Sequence, residues 1–262
     1  MKKYSICTIV LAACLLAGGC VSSPNSAAGF KPFVLENVIP FDQGNPQNPR
    51  FEISMSLADP AKPDSGIGNL IRELLYEGQS AADYGNAVAA KLGKLYAEIH
   101  GEWESLGERP MDSFNWHYTE KAEGRTVSVK GLIPGHEKLL VLAKTTESYL
   151  GGAHGNSSTS CFVVDPAAAK QLVLDDIFND TEKLRLLLEA ELRRQYGLPE
   201  NAPLSEAGFF EDRVELPENF FLTEKDASSM YFLWNAYEIA PYVMGAIQIS
   251  LPFRSLSPLF RK

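Results

Sequence analysis

His154 is the side chain with the clearest chemical potential, because it lies in a loop composed almost entirely of glycine and alanine. The stretch Gly151-Gly152-Ala153-His154-Gly155 predicts a tight turn or a backbone packed closely against a neighbour. The imidazole could contact a ligand, bind a metal ion, or hold the loop by a hydrogen bond to a neighbouring strand. The last of these roles is the most ordinary one for a histidine in such a loop.

Glu238 is the second candidate, since its carboxylate stands among aromatic residues in the stretch 237–242, Tyr-Glu-Ile-Ala-Pro-Tyr. A carboxyl group in such surroundings could act as a general acid. A buried hydrogen bond that fixes a turn is the more ordinary explanation. A cell-wall sugar hydrolase that uses Glu238 or His154 therefore remains an alternative, as do a deacetylase-like enzyme and a structural envelope lipoprotein without a soluble ligand, although we expect binding rather than catalysis.

Other catalytic and metal-binding patterns are missing from the sequence. The aspartates 175, 176 and 180 flank the start of a predicted helix, and capping suits them better than Ca²⁺ binding, which needs further oxygen ligands. No nucleophile elbow, phosphate-binding loop or dinucleotide fingerprint occurs. The four histidines have no metal-ligand spacing, so we expect no metal ion and no cofactor. They are His100, His117, His136 and His154.

Cys161 is expected to be chemically inert. It lies in the apolar run 160–164, which predicts a buried strand, and a free cysteine there behaves as a small hydrophobic residue. The other cysteines all lie within the first 20 residues. No disulfide is therefore expected within the folded part of the chain.

Helices and strands that would position these residues follow from the hydrophobic periodicity. Asp64 or Ser65 begins a first helix, and Ser80 begins a longer one whose apolar stripe includes Val88, Leu92, Leu95 and Ile99. Period-two alternation predicts a first strand at 51–57. From residue 113 on it predicts an antiparallel meander of strands at 114–119, 127–129, 138–149 and 158–164, with turns at 121–125, 131–137 and 150–157. A further helix begins after residue 179, and short strands follow at 219–223, 230–234 and 246–253.

The fold class predicted from this order of elements is α+β, with helices packed on an antiparallel sheet and two small subdomains. Asp165-Pro166 interrupts the strand pattern, so the boundary is placed there. The predicted domains are residues 35–165 and 166–262. The chain has 262 residues and is long enough to bury a sizeable core.

Two segments taken together resemble a known pair of domains. Residues 149–156 contain Gly-Gly-Ala-His, and residues 219–242 end in Tyr-Glu-Ile-Ala-Pro-Tyr. This combination is similar to DUF4163, of the type that precedes the catalytic part of the deacetylase PdaC, followed by DUF3298, of the type in RsiV. The resemblance assigns residues 35–165 to the first type and residues 166–262 to the second. One departure is Asn235-Ala236, where the family tends to have Asn-Pro.

The resemblance implies an exported binding module for a macromolecule such as lysozyme or peptidoglycan, because the exported part of RsiV-type anti-sigma factors binds lysozyme. We expect no sigma-factor relay, since only three residues precede the apolar N-terminal run, and no deacetylase activity, since no metal-binding catalytic domain follows. No catalytic residue is assigned. The candidate binding residues are Tyr149, Gly151, Gly152, His154, Asn156, Tyr237 and Glu238.

The N-terminal residues predict export and lipidation. Lys2 and Lys3 precede an apolar run, and Ala17-Gly18-Gly19-Cys20 resembles the lipobox of bacterial lipoproteins. We therefore predict a signal peptide at 1–19, acylation of Cys20, for example with palmitate, and a flexible tether at 20–34. A membrane-spanning helix would need about 18 apolar residues or more, and the run is shorter.

Cys14 is a rival lipidation site, because Leu11-Ala12-Ala13 precedes it as in a lipobox, but Cys20 leaves a longer apolar run and a polar tether. The expected location is the cell envelope, on the outer membrane or the periplasmic face. Loss of Lys2 and Lys3 with the signal would change the formal net charge from −9 to −11. With that charge and no cluster of Lys and Arg, nucleic acid is not an expected partner.

Overall fold

The fold combines a six-stranded sheet, a three-stranded sheet and five α-helices within the described part of the chain. This computed structural model describes residues 29–40, 50–106, 115–223 and 228–262, with only the backbone of 103–106. Cys14 and Cys20, on which the predicted lipid anchor depends, lie outside the described residues.

The secondary structure runs in the following order. The large sheet contains β1 (Phe30–Pro40), β2 (Arg50–Pro60), β3 (Trp116–Ser128), β4 (Lys138–Tyr149), β5 (Asn156–Asp165) and β6 (Lys170–Leu172). The small sheet contains β7 (Asn219–Phe221), β8 (Ser229–Trp234) and β9 (Ile247–Pro252). The helices are α1 (Gly66–Tyr76), α2 (Ala81–Leu106), α3 (Leu174–Ile177), α4 (Thr181–Gln195) and α5 (Phe253–Leu256).

The large sheet is mixed rather than purely antiparallel. Its strands follow the order of the chain, and the pair β2–β3 is parallel while every other pair is antiparallel. A parallel pair requires a long crossover connection, and α1 with α2 provides it. The predicted α+β class is confirmed, but the prediction of an antiparallel sheet is wrong at this pair, because alternation specifies the faces of a strand and not its direction. The turn predicted at 121–125 is also wrong, because β3 runs through it without a break and Gly124 makes room for the ring of Phe30.

Strand β1 was not predicted, and it shortens the expected tether. The sequence assigned residues 20–34 to the tether, whereas Phe30 already begins the strand and is buried in the core. Phe33 packs towards the helices, while Val34 and Val38 point to the other side and are exposed. Since both faces of this edge strand carry apolar side chains, it lacks the apolar–polar alternation from which a strand is predicted.

The two predicted helices, α1 and α2, are present, and each begins with a serine whose side chain caps it. The hydroxyl of Ser65 accepts a hydrogen bond from Gly68 N at 3.1 Å, and the hydroxyl of Ser80 accepts one from Asp83 N at 3.1 Å. One position of the predicted stripe on α2 is wrong. Leu95 is exposed, and Tyr96 is buried in its place against the rings of Phe51 and Trp116. The larger aromatic ring gains more from burial than the leucine side chain does.

The large sheet forms the middle layer of the molecule. One of its faces packs against α1 and α2, and the other packs against the C-terminal part of the chain around α4 and the small sheet. Cys161 lies in the second core as a buried free thiol, as predicted. Burial raises the pKa of this thiol to about 12, so it is not an activated nucleophile. The sheet continues past residue 165 into β6, which pairs with β5.

A buried carboxylate joins α2 to the helix-facing side of the sheet. Tyr118 and Tyr84 both donate to the same oxygen of Glu120, the latter at 3.3 Å. Burial, and then the neighbouring Glu120 carboxylate, raise the pKa of both tyrosines, so they remain donors at neutral pH. This group is structural, because it fastens the first turns of α2 to β3.

The two ends of the large sheet are occupied by different parts of the chain. Gly29 precedes β1 at the end where Phe30 is paired with Pro60. The turn between β4 and β5 lies at the opposite end, where His117 near the start of β3 is paired with Tyr149. The 11 residues of β1 separate these ends by about 35 Å, at about 3.3 Å per residue.

A buried ion pair fixes α4 to the loop that leads into the small sheet. Arg185 donates to Glu189, and only 9% and 6% of these two side chains are exposed. Glu189 also accepts a hydrogen bond from Val214 N at 3.3 Å, which attaches the loop to the helix. Arg185 also pairs with Glu182 at the helix surface. The Glu189 carboxylate is therefore shared between two parts of the C-terminal layer.

We expect Glu189→Ala to lower the free energy of unfolding by about 3 kcal/mol, because it leaves a buried guanidinium with one partner fewer and Val214 N without its acceptor. Glu191→Ala is the matched control on the same helix, because the partner of Glu191 is the exposed Arg194. That control should change the free energy by no more than about 0.5 kcal/mol. Urea unfolding followed by circular dichroism measures both. Equal losses in the two variants would contradict the assigned role of the buried pair.

Candidate functional site

The candidate site is organised around the turn between β4 and β5. Gly151 and Gly152 have φ values of 88° and 98°, a region that residues with a Cβ rarely adopt. A Cβ on Gly151 would come within 3.4 Å of the indole of Trp116. These glycines form the tight turn that was predicted. Glycine suits both positions because their φ values are positive.

Two tyrosine hydroxyls hold this turn from its two sides. Tyr149 donates to the carbonyl of Gly152 at 3.0 Å, and Tyr242 donates to the carbonyl of Gly155 at 2.5 Å. Tyr149 belongs to the large sheet, whereas Tyr242 comes from the short 3₁₀ helix Tyr242–Met244 before β9. The turn is thus the point at which the two sheets are joined at this end of the molecule.

Three aromatic rings are grouped beside the turn, and we call His154, Tyr242 and Tyr237 the aromatic ladder. The rings of His154 and Tyr242 have centroids 3.9 Å apart and an angle of 19° between their planes. Tyr237 stands 5.5 Å from Tyr242 at a tilt of 33°. Tyr242 is the neighbour of both other rings, and His154 and Tyr237 are both exposed.

Tyr237 adopts a conformation that is unfavourable for its residue type. Its φ is 72°, a left-handed value that costs a residue with a Cβ about 1–2 kcal/mol. The side chain is 57% exposed, so burial does not offset this cost. Strain that brings an aromatic ring out to solvent indicates a site of interaction. Val243, on the same loop, is 90% exposed.

Asn235 holds the segment that presents Tyr237. Its side-chain amide binds both backbone groups of Thr159, accepting from N at 2.8 Å and donating to O at 3.1 Å. The same amide nitrogen lies 3.0 Å from the Glu238 carboxylate, and Glu238 N donates to Asn235 O at 3.2 Å. Asn219 binds β5 two residues further along, where its Oδ1 accepts a hydrogen bond from Cys161 N at 2.8 Å.

The structure brings together the two predicted segments, which are distant in the sequence. His154 and Glu238 lie on the two sides of the same surface, and the His154 ring bonds to the carbonyl of its neighbour Gly155 rather than to another strand. Glu238 is exposed, so the expectation of a buried carboxylate is wrong, although it does fix a turn through Asn235. The predicted residues on the β4–β5 hairpin are Tyr149, Gly151, Gly152, His154 and Asn156, and those after β8 are Tyr237 and Glu238.

Sequence reasoning missed the residues that hold the site together. Tyr242 was within the quoted motif but was not chosen, and Asn235 was seen only as a departure from the family pattern. Their roles depend on contacts with Gly155 and Thr159, which lie 87 and 76 residues away along the chain. An aromatic residue and an asparagine that flank Tyr237-Glu238 were the only local signals. His117 was also missed as a site residue, and its ring stacks on that of Tyr149 at 6.3 Å.

The surroundings of the ladder are polar but contain few charges. Residues 145–160 and 229–253 contain no Lys or Arg, and their only acids are Glu147 and Glu238. The first half of β5 is a run of small polar side chains, residues 156–160, Asn-Ser-Ser-Thr-Ser. We call the ladder, the β4–β5 turn and Glu238 the ladder surface.

The ladder surface offers aromatic rings, a side-chain amide and one carboxylate for contact with a ligand. Among the described residues, no three side chains of His, Cys, Asp or Glu are grouped as a metal ion would require. Two of the three aspartates considered for Ca²⁺ binding cap helices. Asp176 accepts from Val173 N at 3.1 Å, and Asp180 accepts from Lys183 N at 2.9 Å. The pKa of Asp176 is lowered by Lys170, and that of Asp180 by the Lys183 backbone.

A known family model matches the C-terminal part of the chain, which contributes Tyr237, Glu238 and Tyr242 to the site. Residues 175–254 match a family model described as "Protein of unknown function (DUF3298)". This range contains Asn235, Tyr237, Glu238 and Tyr242 but not the β4–β5 turn. No curated protein matches the chain.

Two solved structures have the same fold. A member of the DUF3298 family from Bacteroides fragilis superposes with a TM-score of 0.66 at 22% identity, covering 91% of this chain and 95% of that one. A DUF3298 family protein from Pseudomonas aeruginosa gives a TM-score of 0.52 at 18% identity, covering 90% and 96%. The similarity spans both sheets and therefore concerns the whole described architecture. None of the described helices has the length and apolar character needed to cross a bilayer.

We expect Asn235→Ala to destabilise the contact between the two sheets by about 1–3 kcal/mol, because Thr159 N and O would both lose their partner. The amide of Thr159 should then exchange its hydrogen faster than in the unchanged protein, as measured by hydrogen exchange with mass spectrometry or NMR. Asn201→Ala, at an exposed position, is the control and should leave this exchange unaltered. Unchanged exchange at Thr159 in Asn235→Ala would contradict the role given to the amide.

Proposed function

We propose that this protein is a lipid-anchored component of the cell envelope that binds a macromolecule outside the cytoplasm through the ladder surface. The observation that carries the proposal is Tyr237, an exposed aromatic side chain held in a strained conformation. The turn between Asn235 and Glu238 imposes the positive φ and leaves the ring 57% exposed, where a partner can contact it. Tyrosine is also enriched among the residues that contribute most to binding energy.

The position of the ladder surface supports a role in binding. If Cys20 carries lipid, the chain enters the fold at Gly29, and the ladder surface lies at the other end of the large sheet, about 35 Å away by the length of β1. A short polar tether would then hold the protein at the membrane with this surface facing outward. Glu238 is exposed and bound to Asn235, so we favour contact with a partner over acid catalysis.

The candidate partners are a lysozyme-like muramidase and peptidoglycan. The match of residues 175–254 to DUF3298 agrees with the RsiV-type part of the sequence resemblance, and we propose that residues 35–165 correspond to the PdaC-type DUF4163 domain. A formal charge of −11 after loss of the signal would attract a cationic protein over long range. The same charge makes nucleic acid an unfavourable partner.

The first test concerns the lipid anchor. We expect Cys20→Ala to release the protein from the membrane fraction and to abolish incorporation of labelled palmitate, since acylation requires the thiol. Cys14→Ala is the matched control and should leave both properties intact. The reverse result would assign the anchor to Cys14, and retention of label in the double variant would exclude both Cys14 and Cys20 as the acylated residue.

The second test concerns the partner. We expect the purified protein, made from its full-length gene, to bind lysozyme in calorimetric titration or to sediment with isolated peptidoglycan. Tyr237→Ala should weaken that binding about tenfold or more, since a central tyrosine commonly contributes about 2 kcal/mol. Leu186→Ala removes an exposed apolar side chain from α4 and should have no effect.

Three results would contradict the proposed function. Absence of heat at lysozyme concentrations of tens of micromolar would exclude that partner, and absence of sedimentation would exclude peptidoglycan. If the wild-type protein binds and Tyr237→Ala binds equally well, the ligand does not use the ladder surface. Melting curves of both variants establish that any loss of binding does not come from unfolding.

A further inference from the structure

We infer that a cleft beside Gly29 binds a single fatty acyl chain that carries an anionic head group. We call it the entry cleft, because the chain enters the fold at Gly29, at the opposite end of the large sheet from the ladder surface. The inference is independent of the ligand proposed for the ladder surface. Three observations carry it: the volume of the cleft, the apolar character of its floor and the positive charge at its rim.

The volume of the entry cleft suits a hydrocarbon chain of moderate length. The cleft lies between the end of β2, the first turns of α1 and the neighbouring strands of the large sheet, and it has a volume of about 280 Å³. An apolar cavity of about 150 Å³ holds a molecule of benzene. The entry cleft is nearly twice as large, so it can take a hydrocarbon segment of about ten carbon atoms.

The floor of the entry cleft offers no side chain that could form a hydrogen bond with a ligand. The buried lining residues are Phe30, Pro60, Gly68, Ile71 and Leu140. Ser65 is half-buried, and its hydroxyl already donates to Lys62 O at 2.7 Å and accepts from Gly68 N at 3.1 Å. Because burial of an unpaired polar group costs free energy, the part of a ligand that enters the floor should be hydrocarbon.

The rim of the entry cleft is exposed, and its charge is positive. Lys62 is the only charged residue that lines the cleft, and its ammonium group forms no ion pair with the described residues. Two acids close to it in the sequence do not line the cleft, namely Asp59, which pairs with Arg72 at 2.7 Å, and Asp64. A carboxylate or phosphate group at the rim would therefore meet a cation without a competing partner.

The position of the entry cleft fits a lipid ligand. If Cys20 carries lipid, as proposed above, the end of the molecule at Gly29 is the end nearest the bilayer. Fatty acyl chains and anionic head groups are both concentrated there. Binding itself does not require the anchor, because every lining residue belongs to the folded part of the chain.

The experiment measures how affinity depends on chain length. The protein is prepared with both Cys14 and Cys20 replaced by alanine, so that neither an attached lipid nor detergent competes for the cleft. It is titrated by calorimetry and NMR with straight-chain carboxylates from hexanoate to dodecanoate, and with decanol as the uncharged counterpart of decanoate. We expect the affinity to rise by about fourfold or less per methylene group, because each methylene removed from water contributes a similar free energy, and to level off near ten carbon atoms.

Variants of the lining residues locate the binding site. Ile67→Trp places an indole in the cleft and should weaken the binding of decanoate by about tenfold or more, because several methylene groups lose their place. Asn69→Trp adds the same ring at an exposed position of α1 and should have no effect. Lys62→Ala should weaken the binding of decanoate about threefold and leave that of decanol unchanged. Lys91→Ala removes an exposed lysine from α2 and controls for net charge.

The outcomes separate the parts of the inference. Binding that depends on chain length, is lost in Ile67→Trp and is kept in Asn69→Trp supports it, provided that melting curves show both variants to be folded. Failure of every carboxylate to bind, or unchanged binding in Ile67→Trp, overturns it. Equal affinity for decanoate and decanol overturns the assignment of an anionic head group.

Vesicles of phosphatidylglycerol distinguish the two sources of such a chain. Sedimentation of the protein with these vesicles that is lost in Ile67→Trp indicates a membrane lipid, whereas binding of decanoate without sedimentation indicates a free fatty acid. None of these measurements involves Tyr237, so failure of the entry cleft to bind leaves the proposed function standing.

Discussion

The pairing of the Asn235 amide with the backbone of Thr159 is the interaction on which the rest of the site depends. The part of β5 beyond its three pairs with β6 presents unpaired N–H and C=O groups along one edge. Asn235 satisfies both groups of Thr159, and Asn219 satisfies Cys161 N, so two side chains do what a neighbouring strand would do elsewhere. Because these amides project from the start of β7 and the end of β8, they dock the small sheet on the large one in a single register.

The remaining features of the ladder surface follow from that register. Once Asn235 is fixed, the turn from Asn235 to Glu238 places Tyr237 at a positive φ and directs its ring outward. The 3₁₀ helix that follows brings Tyr242 against His154, and the Tyr242 hydroxyl closes the junction at Gly155. The site is thus formed at a seam between two sheets, where neither sheet alone contains all its parts.

Local patterns predicted the elements of the fold better than the contacts between them. The alternation around Phe51 and the capping positions Ser65 and Ser80 identified β2, α1 and α2, because such signals lie within a few residues of each other. Strand β1 was missed because both of its faces carry apolar side chains. The parallel pairing of β2 with β3 was missed because the alternation of apolar and polar residues does not depend on strand direction. Glycines 151 and 152 were recognised as a turn, whereas Asn235 was not recognised, because its partner is 76 residues away.

The orientation of the large sheet has a mechanical consequence. An anchored chain that enters at Gly29 and a ligand that engages the opposite end would pull the molecule along the direction of its strands. Such a load acts on β1 and β2 in shear, so that the hydrogen bonds along all 11 residues of β1 resist it together instead of opening one after another. Strand β1, which the sequence pattern did not predict, would therefore carry the tension between the membrane and a ligand bound at the ladder surface.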